Sequence, residues 1–127
     1  MKYLAIDYGQ KHIGLAISEG ILAEPFGQFD SEADDKTVAK IIKICQEEQI
    51  DELVLGISEN QMAVKVKAFA QILSQNLTLK IHLQDETLSS QLAKKHLLES
   101  GAKRKKRQTQ NHQIAAAIIL QEFLDNR

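Results

Sequence analysis

Residues 4–18, LAIDYGQKHIGLAIS, decide the fold, because they hold two apolar runs on either side of a short Gly9-Gln10-Lys11 turn. Residues 2–8 (KYLAIDY) and 12–18 (HIGLAIS) have the aliphatic and β-branched content of strands, so the segment reads as a hairpin. One acid, Asp7, interrupts the first run. Strand alternation puts Tyr3, Ala5 and Asp7 on one face and Leu4 and Ile6 on the other, so Asp7 shares a face that a helix should cover. A carboxylate buried without a partner is costly. Asp7 therefore accepts turn N–H groups, pairs with a lysine such as Lys11, or binds a cation. The plainest of these readings is a turn-forming acid that caps the hairpin.

Working outward, ILAEPFGQF (21–29) is a third extended piece, with Pro25 and Gly27 marking an edge or a bend. A helix runs from a cap at Asp34 or Asp35 to about Glu48, since Val38, Ile41, Ile42 and Cys45 recur at three and four residues. ELVLGI (52–57) follows as a buried strand parallel to the first. A second helix spans 62–75, with Val66, Phe69, Ala70 and Leu73 on one stripe. LTLKIHL (77–83) is a further strand that ends at Gln84-Asp85-Glu86. A helix over 90–99 then stops at Gly101, and a basic connection at 103–107 leads into a final helix over about 111–125. The order ββ(β)αβαβαα describes an α/β protein with a mixed five-stranded sheet flanked by helices.

With 127 residues, the chain has the length of one domain, 1–127. A content of 43% hydrophobic and 26% charged residues, with one Pro and six Gly, excludes the disordered and fibrous classes. No apolar run approaches the ~20 residues of a membrane span, and the N-terminus lacks the pattern of a secretory signal, so a cytoplasmic location is expected. Cys45, the sole cysteine, falls at core spacing inside a helix and reads as a buried thiol.

The net charge of −1 does not mark a nucleic-acid binder. The charge distribution is more informative. Lys103, Arg104, Lys105, Lys106 and Arg107 are consecutive, a run that could be merely solvated but that would also neutralise several phosphates. Aromatic residues make up 5% of the chain, with no Trp, so base stacking is not indicated. Ligands of mostly parallel sheets sit beyond the strand carboxyl ends, where Asp7, Glu59 and the pair Asp85-Glu86 fall. Asp85 and Glu86 also fit an N-capping segment, and Glu59 a loop charge. Together these acids make the oxygen-rich site that hard divalent cations require.

The segments DYGQKHIGLAIS (7–18), ELVLGI (52–57), DETLSSQLAKKHLLE (85–99) and QIAAAIILQEFLDNR (113–127) together resemble the YqgF/RuvX family. The family opens with Asp-x-Gly-x-Lys-x-x-Gly-(Leu/Val)-Ala, matched by Asp7, Gly9, Lys11, Gly14, Leu15 and Ala16. The resemblance implies an RNase H-like fold and a metal-dependent phosphodiester hydrolase. Its implied role is 5′-end processing of pre-16S rRNA or, by kinship with RuvC, Holliday junction resolution. It further implies that Asp7 bridges metal ions, that Asp85 or Glu86 supplies a second acidic site, and that an Asp opening the last helix supplies a third.

Three positions depart from the family pattern. Aligning Ala115-Ala116 and Ile119-Leu120-Gln121 puts His112 where the last Asp belongs. His112 stacks with Ala115, Ala116, Ile119 and Phe123 on the sheet-facing stripe, where it is either a metal-facing group or a hydrogen-bonded histidine of the first turn. As a ligand it would favour Mn²⁺ over Mg²⁺. Thr87 replaces an Arg able to clasp a phosphate in a bidentate pair. GISENQ (56–61) replaces a loop containing proline and glycines.

Two readings stay open: a nuclease using Mg²⁺ or Mn²⁺ on structured RNA or branched DNA, and a catalytically impaired nucleic-acid-binding module. In both, Lys11 and the run 103–107 contact the phosphate backbone. The protein would work as a monomer or, for a junction, as a symmetric homodimer. An actin-like ATPase also opens with Asp-x-Gly, but needs two such domains.

Overall fold

The structure, a computed structural model, describes residues 1–9, 11–57, 62–85, 92 and 104–127, with 62 and 104–111 described as backbone. Its elements are β1 (Tyr3–Tyr8), β2 (His12–Ser18), β3 (Ala23–Asp30), α1 (Asp34–Glu48), β4 (Glu52–Ile57), α2 (Met62–Asn76), β5 (Lys80–Asp85) and α3 (Arg104–Asp125). The strands form one sheet in the order β3-β2-β1-β4-β5. β2 is antiparallel to both β1 and β3, and β4 is parallel to both β1 and β5, so the sheet is mixed as expected. The helix expected over 90–99 lies outside the described residues. No helix among the described residues is long and apolar enough to cross a membrane.

The two-residue period divides the sheet between two cores. On one face Leu4, Ile6, Ile13, Leu15, Leu53 and Leu55 meet Val38, Ile41 and Cys45 of α1 and Val66, Phe69 and Leu73 of α2. On the other, Tyr3, Ala5, Ala16 and Val54 meet Ala116, Ile119, Leu120 and Leu124 of α3. The first face carries large aliphatic side chains, whereas the second includes Ala5, Ala16, Gly14 and Gly56, which let α3 approach the sheet closely. Burial pushes the Cys45 thiol up to about 11, as suits a core group that never ionises at neutral pH.

Several boundaries differ from the sequence reading. α1 is capped by Ala33 without a side-chain hydrogen bond, and Asp34 and Asp35 sit in its first turn, where they face the positive end of the helix dipole. Asp34 instead accepts a 2.8 Å hydrogen bond from the Tyr8 hydroxyl. β5 starts at Lys80, the partner of Glu52, because β4 offers no pairing edge before that residue. Leu77 instead donates its N–H to Leu73 and closes α2. α3 begins at Arg104, so Arg104–Arg107 are helical and do not form a connection. Lys, Arg and Gln are good helix formers and no Gly or Pro lies between them and His112, so nothing delays the helix start.

Two glycines allow α3 to sit close to the sheet. A Cβ on Gly14 would collide with the His112 carbonyl oxygen and lie 3.0 Å from the Gln113 nitrogen, whereas one on Gly56 would lie 2.6 Å from Ile119 Cδ1. Gly27, on the edge strand, faces open space. Gly14→Ala is therefore expected to destabilise most, because helix backbone must move. Gly56→Ala should cost about 1–3 kcal/mol by overpacking, and Gly27→Ala should stay within about 0.5 kcal/mol. Urea or thermal unfolding checks the order, and equal effects at all three positions would contradict this packing.

Tyr8 ends β1 on the α1–α2 side, with its ring 4.6 Å from that of Phe69. Burial, then the hydrogen bond and charge of Asp34, push its hydroxyl up to about 12. Folded protein thus holds the phenolic proton more tightly than unfolded chain, whose Tyr ionises near 10. The stabilisation is complete below pH 10 and lost as pH rises from 10 towards 12. Over that window the melting temperature of wild type should fall faster than that of Tyr8→Phe. Parallel curves would show that the Tyr8–Asp34 bond does not couple to ionisation.

Candidate functional site

Asp7 occupies the last turn of the pleat on the α3 face and is half-buried. Its antiparallel partner is Gly14. The parallel register pairs Ile6 with Leu55, which brings Asp7 level with Gly56. The carboxylate therefore rises between two strand positions without side chains. α3 fills the space above them, with the His112 backbone over Gly14 and the Ile119 side chain over Gly56. The expected stripe is present: Ala115, Ala116 and Ile119 are buried against the sheet, and the Phe123 ring lies 5.6 Å from Tyr3 and 4.7 Å from His82. Close helix seating thus brings His112 to the same end of the same face as Asp7.

His12 belongs to this group and was not singled out from the sequence. It lies two residues before Gly14 on β2, so it shares the α3 face. Its Nδ1 is 3.1 Å from Oδ1 of Asp30, its directly opposite residue on β3. Its ring centroid is 4.7 Å from that of His112, with planes inclined by 34°. The signal that would have found it is parity: in a hairpin, the residue two before Gly14 must face the same helix.

Other expected site residues are placed differently. Asp85 pairs with Ile57, and Ile57 packs in the α1–α2 core, so Asp85 is exposed on the face opposite Asp7. It is also two strands away from β1, about 10 Å at ordinary strand spacing. The structure does not bring Asp7 and Asp85 together. Glu86, Lys103, Glu59 and Thr87 lie outside the described residues. Lys11 is exposed after the hairpin turn, and its carbonyl accepts the Ser31 N–H at 2.8 Å. Arg104, Lys105, Lys106 and Arg107 form the first turn of α3, roughly 8–12 Å along the helix axis from His112 at 1.5 Å per residue. Among the described residues, no three His, Cys, Asp or Glu side chains group closely enough to hold a metal ion by themselves.

The described part of the site is thus one carboxylate, two imidazoles in ring contact, and a helix that carries basic residues away from them. This arrangement suits a partner that is anionic and bound through a cation or through its phosphates. Comparison with known proteins bears on the family. The family described as "RuvX: Holliday junction resolvase" matches residues 1–126. A protein of Dictyoglomus thermophilum named "Putative pre-16S rRNA nuclease" is 34% identical over 134 residues, covering 99% of this chain and 96% of its own. The fowlpox virus Holliday junction resolvase superposes with a TM-score of 0.61 at 13% identity, covering 100% of both chains. Thermus thermophilus RuvC gives 0.59 at 13% identity, covering 98% of this chain and 94% of its own. At that identity the two structures establish the fold, an RNase H-like sheet. On the matches to its sequence, the chain belongs to the RuvX Holliday junction resolvase family.

Proposed function

We propose that this RuvX family member is a divalent-metal-dependent nuclease acting on structured RNA, with the 5′ end of a 16S rRNA precursor as its substrate class. We further propose that residues 1–127 work as one RNase H-like domain. The observation that carries the reading is the seating of the His112 backbone on Gly14, the strand partner of Asp7. That contact brings the His112 backbone over the strand partner of Asp7, which supports reading the two side chains as ligands of one ion. The name carried by the Dictyoglomus relative supports RNA. The family description and the fowlpox and Thermus resolvases support branched DNA as the second reading.

The donor set fits a divalent cation of borderline character. Asp7 supplies one hard oxygen ligand, and His112 supplies a neutral nitrogen that suits Mn²⁺, Co²⁺ or Zn²⁺ better than Mg²⁺. An ion held by Asp7 and His112 would supply the Lewis acidity that phosphodiester hydrolysis needs. The protein's own part is positional. Asp7 is fixed by the β1–β2 ladder, and the α3 contact fixes the backbone of His112. Lys11 and the first turn of α3 offer positive charge to phosphates on either side, so binding should weaken steeply with salt.

A cleavage assay on a pre-16S rRNA 5′ fragment and on a four-way DNA junction, with Mg²⁺ and Mn²⁺ in parallel, tests this reading. RNA cutting is expected, faster with Mn²⁺. Asp7→Asn should lower it by about 100-fold or more, the scale of removing one charge-stabilising group from an active site. Asp85→Asn should cost far less, and His112→Asp should raise the Mg²⁺-supported rate. Cutting of the junction alone would favour the DNA reading. Salt-sensitive binding with neither ion supporting cleavage would overturn the nuclease and leave a binding module.

A further inference from the structure

We infer that the β2–β3 turn, residues 19–22, and the groove beside it form a docking surface for a positively charged protein segment that carries aliphatic or aromatic side chains. The surface lies at the end of the sheet away from Asp7. Ser18, the last residue of β2, pairs with Tyr3 at the start of β1, about 13 Å before Asp7 along the strand. The turn presents Ile21 and Leu22, which are 86% and 66% exposed, and Phe26 borders the same groove at 39%. Single apolar side chains on a surface need no explanation, whereas adjacent ones beside a groove mark an interaction site. Ile17 and Pro25 continue the apolar lining.

The turn is built to hold this shape. Gly20 has a φ of +125°, which a side chain would strain, and its N–H donates to the buried Ser18 Oγ at 3.0 Å. The Arg127 guanidinium donates to the Gly20 carbonyl and, at 2.9 Å, to the Tyr3 hydroxyl. The Gln121 side chain brackets the exposed pair: it donates to the Ile21 carbonyl at 3.1 Å and accepts the Ala23 N–H at 2.9 Å. Ser18, Gln121 and Arg127 thus fix the backbone around two residues whose own side chains face water. Such preorganisation lowers the ordering cost of association. Charge then selects the partner. Glu19, Glu24 and Glu48 line the groove with one cation, Lys2, so a phosphate backbone or an anionic membrane is repelled and a basic segment attracted. The same acids would face one another across a two-fold axis, which disfavours a second copy of the chain. Pro25, which has no N–H, and the register shift between Leu15 and Ala16 blunt β3 as an edge, so recognition falls to side chains and not to strand addition.

Fluorescence anisotropy on the full chain tests the surface with two labelled peptides that share one leucine pattern, with lysine at the remaining positions of the first and glutamate at those of the second. The lysine peptide should bind saturably and the glutamate peptide should not. Ile21→Ser with Leu22→Ser should weaken that binding about tenfold or more and leave the melting temperature unchanged, because the two side chains pack against little. Glu19→Gln with Glu24→Gln should weaken it about threefold or more. Asp35→Lys, which makes the same change in net charge at the far end of α1, should leave it as in wild type. Failure of the lysine peptide to bind, equal binding of both peptides, or binding that survives the Ile21–Leu22 substitutions would overturn the inference. So would a dimer in sedimentation velocity that those substitutions dissolve, since the occupant is then a second copy. Flotation of wild type but not of that variant with phosphatidylcholine–phosphatidylglycerol vesicles would equally overturn it in favour of a lipid surface.

Discussion

The contact between Gly14 and the His112 carbonyl is the constraint on which the rest of the molecule depends. A helix backbone reaches strand backbone only where a strand residue has no Cβ, and here that happens beside Asp7. Ala5, Ala16 and Gly56 on the sheet, with Ala116 on the helix, extend the close approach along α3. Deepening any of these positions would lift the helix and carry His112 away from the carboxylate. Packing on this face therefore sets site geometry directly. The opposite face, with Leu, Ile and Phe side chains under α1 and α2, supplies bulk burial and tolerates distance.

Much of this was legible from residue pattern. Two apolar runs around a glycine turn gave the hairpin, and the parity of Tyr3, Ala5 and Asp7 correctly placed the acid under a helix. The stripe His112, Ala115, Ala116, Ile119 pointed α3 at the sheet for the same local reason: a period fixes which residues share a face. What was not legible depends on pairing between distant segments. The face of Asp85 follows from its register with Ile57, which no feature of KIHLQD alone discloses. Asp34 serves Tyr8 and not its own helix cap, because the chain brings a hydroxyl from β1 within reach. Arg104–Arg107 are helical because strong helix formers outweigh the unfavourable meeting of positive charge with a helix N-terminus.

In the proposed site His112 stands where the family pattern has a carboxylate on the last helix, a neutral nitrogen in place of a charged oxygen. The placement of Asp85 on the far face removes another candidate anion from the neighbourhood of Asp7. Among the described residues both differences lower the negative charge near Asp7, which would weaken attraction for Mg²⁺ and repulsion of an incoming phosphate backbone. The histidine pair adds ring contact where charge was lost. In the proposed site, substrate capture would fall more to the basic first turn of α3 and to Lys11, and the choice of ion more to ligand type.

We propose that close seating of α3 on Gly14 makes Asp7 and His112 the two halves of one cation site. Its most direct test is a crystal structure of the protein soaked in Mn²⁺, with anomalous data collected at the manganese edge. The expected result is an anomalous peak within coordinating distance of both the Asp7 carboxylate and the His112 imidazole, on the α3 face. A peak held at Asp85 on the opposite face, or no ordered ion at saturating Mn²⁺, would contradict it.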